Sequence, residues 1–259
     1  MSSLHTERDG VVARVTLDRP DVHNAFDAAL IADLERAFTE LSTDPGVRVV
    51  ALAGKGPSFC AGADVHWMQQ SLAYTEEQNM EDARRLATML RVIDECPKPV
   101  VALVQGAALG GGAGLVAVSD IVLAEETAKF GLTEIKLGIV PSVISPFVLR
   151  KVAPGPARAL FITGERFSAE RAREIGLVTQ VAPVGGLEAA LAAVLRQLES
   201  SSPAAIPVAK ALWRTVPGMS PDAAFDYTTS TIARIRVSPE GQEGLRAFLE
   251  KRKPAWTSE

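Results

Sequence analysis

Apolar and polar residues recur along this chain with two different periods, and the switches between them predict its elements. Residues 11–17 alternate apolar and polar over most of their length, as a half-buried strand does. Arg19-Pro20 ends that strand, and Asp21 to Asn24 forms a polar turn. Phe26, Leu30, Ile31, Leu34, Phe38 and Leu41 then repeat at helical spacing, predicting a helix over 26–41. Thr43-Asp44-Pro45-Gly46 is a turn by composition, and residues 47–53 (VRVVALA) read as a strand. Residues 64–74 read as helix or loop, and 76–96 as a long amphipathic helix stopped by Pro97-Lys98-Pro99. A strand over Val100–Val104, a helix over 111–119 and strands over 120–124 and at Lys129-Phe130 complete the first half. Strands alternating with helices predict a layered α/β fold with crossover connections. From Ala157 onward the pattern turns helical, punctuated at Gly164, Gly176, Gly185-Gly186 and Pro203, and its last amphipathic stretch is 244–253. Helices this apolar along one face call for a partner surface, so an oligomer is expected.

Composition narrows the class. A chain of 259 residues suits one large α/β domain, or a domain plus an appendage. Hydrophobic residues at 47% and charged residues at 22% describe an ordinary globular chain. A formal charge of −4 argues against a nucleic-acid-binding surface. No apolar run reaches the roughly 20 residues that cross a bilayer, and the start, MSSLHTERDG, has no signal-peptide core. Cys60 and Cys96 read as reduced thiols, and the expected compartment is the cytoplasm.

Two glycine-rich segments carry the chemistry. Residues 59–64 (FCAGAD) and the run Gly110-Gly111-Gly112 each follow an apolar strand and lead into a helix. The first amides of a helix have no intrahelical partner, so two such starts facing one another would aim two N–H donors at one oxygen. That arrangement is an oxyanion hole, suited to a carbonyl that gains negative charge during reaction. A nucleotide reading fails. From Gly110 a G-x-G-x-x-G fingerprint needs glycine at Leu115; the looser form from Gly112, with Gly114 and Ala117, lies inside the helix rather than in the turn. A phosphate loop ending at Gly54-Lys55 would need glycine at Val49.

Glu134 is the leading acid–base candidate. Its neighbours Phe130, Leu132 and Ile135 are apolar, which suits either a paired structural carboxylate or one prepared to exchange protons. His23 and His66, near turns, and Cys60, without a base nearby in sequence, rank below it. No cluster has metal-ligand spacing.

The chain resembles the crotonase, or enoyl-CoA hydratase/isomerase, superfamily. The matching elements are Arg19-Pro20 with Asn24-Ala25, FCAGAD, GAALGGGAGL at 106–115, Ser119-Asp120-Ile121, AKFGLTEIKLGIVP at 128–141 and AFLEKRKPAW at 247–256. The resemblance implies an α/β spiral of ββα units, with a core over 1–199 and a helical C-terminal trimerisation region over 200–259. It implies a homotrimer, or a dimer of trimers, and a coenzyme A thioester substrate without metal or redox cofactor. The thioester carbonyl would be held by the N–H groups of Ala63 and Gly111, with Glu134 catalytic. Coenzyme A would lie along His23, Ala25, Ala61, Asp64, Val65, His66 and Gly110, with Phe248 and Lys251 as further contacts.

Two departures refine the expectation. Many hydratases of this superfamily carry a second glutamate where this chain has Gly114, and the usual glycine-rich segment after Pro141 is replaced by SVISPF at 142–147. That combination looks most like bacterial 3-methylglutaconyl-CoA hydratases of leucine breakdown. The rivals are a general short-chain enoyl-CoA hydratase, an isomerase or decarboxylase on the same scaffold, and, in another class, a non-catalytic RNA binder. The acidic charge and the lack of a basic, aromatic-studded stretch weigh against the last.

Overall fold

The chain opens with an antiparallel hairpin, Leu4–Asp9 (β1) against Val12–Leu17 (β2), in a computed structural model that describes residues 3–257. Next come Ala28–Thr43 (α1), Val49–Gly54 (β3), Val65–Ser71 (α2), Glu76–Glu95 (α3) and Val100–Val104 (β4). Ala107–Leu109 (β5), Gly111–Val118 (α4), Ile121–Glu125 (β6) and Lys129–Gly131 (β7) follow, then a 3₁₀ turn over Thr133–Leu137. Ser145–Lys151 (α5), Pro154–Thr163 (α6), Arg166–Ser168 (β8), Ala169–Glu174 (α7), Gln180–Ala182 (β9) and Leu187–Glu199 (α8) lead towards the C-terminal helices.

One sheet runs β1-β2-β3-β4-β6-β9, parallel from β2 onward. Its centre is β3 (VVALAG) and β4 (VVALV), buried along nearly every residue. Continuous apolar strands are what a parallel sheet covered on both faces requires. A second, smaller sheet runs β5-β7-β8. A single-residue bridge, Cys60 to Ala108, ties the segment after β3 to that second sheet. The chain therefore repeats one pattern: β3, Cys60, α2; then β4, β5, α4; then β6, β7, α5. Each repeat is a strand in the large sheet, a residue or short strand paired to the small one, and a helix. This is the ββα spiral that the resemblance implied.

Local chemistry sets the boundaries. Asp27 caps α1, accepting from the Leu30 amide at 2.8 Å, so the helix starts at Ala28 rather than Phe26. Phe26 instead bridges Ala63 as extended chain. Thr75 and Gln78 form a reciprocal capping box at α3. β1 was not expected: only Leu4 of its six residues is buried, so the edge strand shows no apolar alternation. The helical reading after Ala157 also needs correcting, because β8 and β9 interrupt it. Strands of three residues are too short to show a period.

The chain divides into two compact units, one up to Leu191 and one from Ala192 onward, the boundary falling inside α8. The second unit adds Ala205–Thr215 (α9), Pro221–Arg236 (α10) and Pro239–Leu249 (α11). Its last described residues fold back on α11. Arg252 grips Glu243 with two hydrogen bonds of 2.6 and 3.0 Å, and holds that carboxyl down at about 2. Trp256 donates to the Ser200 carbonyl at 3.1 Å. Among the described residues no helix is long and apolar enough to cross a membrane.

Candidate active site

The two glycine-rich segments meet at the small sheet. Cys60 N donates to Ala107 O at 3.0 Å, and Leu109 N returns to Cys60 O at 3.0 Å. Close approach is possible only without side chains. A Cβ on Gly112 would overlap the Cys60 carbonyl, and one on Gly62 would come within 3.0 Å of the Leu109 oxygen. Gly62 and Gly110 have φ of +99° and +50°, a conformation that favours glycine.

Two of the amides this packing leaves unused are those of Ala63 and Gly111. In the Phe26–Ala63 bridge, Phe26 N donates to Gly62 O at 2.7 Å and Asp64 N donates to Phe26 O at 2.8 Å. The flanking residues thus take the pairing, and the N–H of Ala63 points away from it. Gly111 is the first residue of α4, where an amide has no intrahelical acceptor. Among the described residues neither N–H has a hydrogen-bond partner. The ring of Phe26 packs directly on Gly111, leaving no room for a Cβ there (2.7 Å to Cε2).

Glu134 stands at the same place. β7 brings it there: Gly110 N donates to Gly131 O at 2.9 Å, and Glu134, three residues later, sits in the first turn of the 3₁₀ segment. A Cβ on Gly110 would lie 3.3 Å from Glu134 Oε1. Oε2 is buried with no hydrogen-bond partner. Burial raises the carboxyl above the ordinary glutamate range. A carboxyl that burial raises, beside two unpaired amides, can exchange a proton while the amides hold a developing oxyanion.

The remaining candidates fall in two places. His23, with φ of +52°, accepts from Ala61 N at 3.0 Å through its carbonyl, and its Nδ1 lies 3.0 Å from Ser58 Oγ. Ala25 is buried, and Ala61 is half-buried. Val65 and His66 are exposed on the first turn of α2. Asp64 is buried, its carboxylate taken by Arg19 at 2.8 Å and by the His66 amide at 2.8 Å, while its own amide donates to Phe26 O and its carbonyl accepts from Met68, so it serves the scaffold of the site. Phe248 and Lys251 belong to the second unit, both exposed, at and just after the end of α11. Burial pushes the Cys60 thiol up to about 12, which removes it as a nucleophile. Among the described residues no group of three or more His, Cys, Asp or Glu side chains is placed to hold a metal.

Position 114 is closed. A Cβ on Gly114 would stand 2.5 Å from Ile144 Cγ2 and 3.7 Å from Leu90 Cδ1. Ile144, within the SVISPF segment, fills the volume a side chain at 114 would need. Local pattern assigns Ile144, Phe26 and Arg19 no role in the site: Ile144 meets Gly114, Phe26 meets Gly111 and Arg19 meets Asp64 from 30 or more residues away.

The enoyl-CoA hydratase/isomerase family profile matches residues 7–259. The chain belongs to that family. An enoyl-CoA hydratase from Shewanella pealeana is 41% identical, with a TM-score of 0.94, over 98% of this chain and 96% of that one. An enoyl-CoA hydratase/isomerase from Marinobacter aquaeolei is 34% identical, with a TM-score of 0.93, covering 100% of both chains. A carnitinyl-CoA dehydratase from Salmonella typhi is 34% identical over 260 residues, 98% of each chain. The fold is the crotonase fold, and the enoyl-CoA hydratase relatives indicate that the enzyme is a hydro-lyase.

Proposed function

We propose that this enzyme adds water reversibly across the α,β double bond of an acyl-CoA, with Glu134 as its single acid–base carboxylate. The observation that carries this reading is the buried, unpartnered Glu134 Oε2 beside Gly110, next in the chain to an amide without an acceptor. In the hydration direction, Glu134 takes a proton from water as the water oxygen bonds to the β-carbon. The π electrons move to the thioester oxygen, which becomes an enolate held by the Ala63 and Gly111 amides and by the positive end of α4. Collapse of the enolate draws a proton from Glu134 to the α-carbon, which completes the hydration and restores the carboxylate. One carboxylate serves both transfers because position 114 carries no side chain and is backed by Ile144. Coenzyme A follows the 23–25 and 61–66 segments, largely through backbone groups. The assembly is a homotrimer or a dimer of trimers built on residues 200–259. Exposed Trp213, Phe225, Val237 and Leu249 in the second unit support that assembly.

The acyl group we infer is 3-methylglutaconyl, hydrated to 3-hydroxy-3-methylglutaryl-CoA, from Gly114 together with the SVISPF segment. Its distal carboxylate would be met by a donor among His66, Tyr74, Arg84 and Lys136. Similarity to the Salmonella dehydratase favours a second reading, an acyl chain of the carnitinyl type. The test is kcat/KM on 3-methylglutaconyl-CoA, crotonyl-CoA and carnitinyl-CoA, with products identified by mass. A donor left unmatched by crotonyl-CoA discriminates strongly. The glutaconyl reading expects at least ~10²-fold preference over crotonyl-CoA, equivalent to about 2.7 kcal/mol. Equal values would leave a general short-chain hydratase; preference for carnitinyl-CoA would move the acyl group to the second reading. An isomerised or decarboxylated product would reject hydration itself.

A further inference from the structure

One guanidinium braces the segment that connects both unused amides. Arg19 Nη2 lies 2.8 Å from Asp64 Oδ2 and 3.0 Å from Asp27 Oδ2, while Nη1 donates to the Ala25 carbonyl. Its three partners are the residues either side of Phe26 and the residue after Ala63. Phe26 is the strut of the site: its backbone pairs with Gly62 and Asp64 around the Ala63 amide, and its ring rests on Gly111. Asp64 is 4% exposed and holds Arg19 with one oxygen while capping α2 with the other. Asp27 does the same for α1. The Arg19 side chain is only 20% exposed, which lessens solvent screening of these pairs.

We propose that Arg19 is the positioning residue of the oxyanion hole, setting the aim of both N–H donors through Ala25, Asp27 and Asp64 without touching substrate. This rests on the reading of Ala63 and Gly111 as the donors. A lysine is one point charge and cannot hold three acceptors spread over a planar fork, so Arg19→Lys keeps the charge and loses the geometry. Asp64→Asn keeps a cap acceptor for α2 and weakens only the pairing with Arg19.

The measurements are kcat and KM, the thermal midpoint, and the absorbance shift of bound cinnamoyl-CoA, whose conjugated thioester moves to longer wavelength when its oxygen is polarised. For Arg19→Lys we expect kcat to fall ~10- to 100-fold with KM within about 3-fold, a fraction of what losing one donor outright costs. The absorbance shift should fall by more than half. Asp64→Asn should lose part of the shift, and both variants should retain the native circular dichroism spectrum. A full shift in both variants, or a kcat loss without loss of shift, overturns the role of Arg19 while leaving the donors in place. An Arg19→Lys protein that does not fold leaves Asp64→Asn to decide: an undiminished shift there overturns the proposal. No shift in the unmodified enzyme overturns the donor assignment, and Arg19's role with it.

Discussion

The two walls of the site are built on opposite principles. On the donor wall, almost every polar group is engaged: Arg19, Asp27, Asp64, Ala25, Phe26 and Gly62 form one continuous set of ion pairs and hydrogen bonds. Among the described residues the amides of Ala63 and Gly111 are left without partners. On the other wall, at Glu134 against Gly110, a carboxyl oxygen is buried with no partner among the described residues, and position 114, further along α4, is closed by apolar Ile144 and Leu90. A charged brace suits donors that must not move, because reorganising dipoles during reaction costs part of the stabilisation they provide. A proton carrier needs the reverse, since a strong permanent partner would fix one protonation state. In the proposed mechanism, rigidity belongs to the oxyanion and chemical ambivalence to Glu134.

The largest expected effect comes from removing that ambivalence. Glu134→Gln keeps the shape of the side chain and abolishes both proposed proton transfers. Turnover should fall by about 10²- to 10⁴-fold, the range for loss of a positioned acid–base group. Because the donor wall is untouched, the cinnamoyl-CoA absorbance shift should persist. Near-normal turnover in folded Glu134→Gln would remove Glu134 from the mechanism and leave the donors without a proton carrier.

A smaller effect tests whether Ile144 closes position 114. Replacing a helical glycine by alanine is ordinarily favourable by up to about 1 kcal/mol. Here the new methyl would meet Ile144, a β-branched side chain held at 2% exposure. Overpacking of this kind typically costs about 1–3 kcal/mol, so Gly114→Ala should destabilise the enzyme. In an Ile144→Ala background the same change should cost at least about 1 kcal/mol less, a coupling read from urea midpoints of the four proteins. Additive effects would mean that Ile144 does not occupy the place of a side chain at 114.

How much of this was legible in the sequence differs between the walls. The large sheet was readable because β3 and β4 are continuous apolar runs, and α3 because its capping box and the Pro97-Lys98-Pro99 stop mark both ends. β1, β8 and β9 were hidden, the first by its polar edge and the others by their brevity. Both glycine segments and Glu134 announced themselves through residue type, since only small residues permit the contact at Cys60 and Gly112. The brace did not. Arg19 and Asp64 are 45 residues apart, and nothing in either neighbourhood specifies the other. Phe26 was misread for a related reason: its apolar side chain fits the helical period of α1, but the Asp27 cap excludes it from the helix.

The smallest effect follows from the raised pKa of Glu134 and runs against its effect on activity. Burial raises the carboxyl in the folded enzyme above its value in the unfolded chain. The sign is then fixed by linkage: the folded state binds the proton more tightly, so its stability is greatest at pH below the unfolded value and declines as pH rises through the folded one. Glu134→Gln does not titrate and escapes that decline. The variant should therefore gain in thermal midpoint relative to the parent as pH rises from about 4 towards neutrality, with the difference levelling off once the folded carboxyl is ionised. Midpoints of the two proteins at pH 4, 5, 6, 7 and 8 would show it. A constant difference, or one that shrinks with pH, would mean that burial does not raise the Glu134 carboxyl. The acid–base wall would then owe its function to something other than burial.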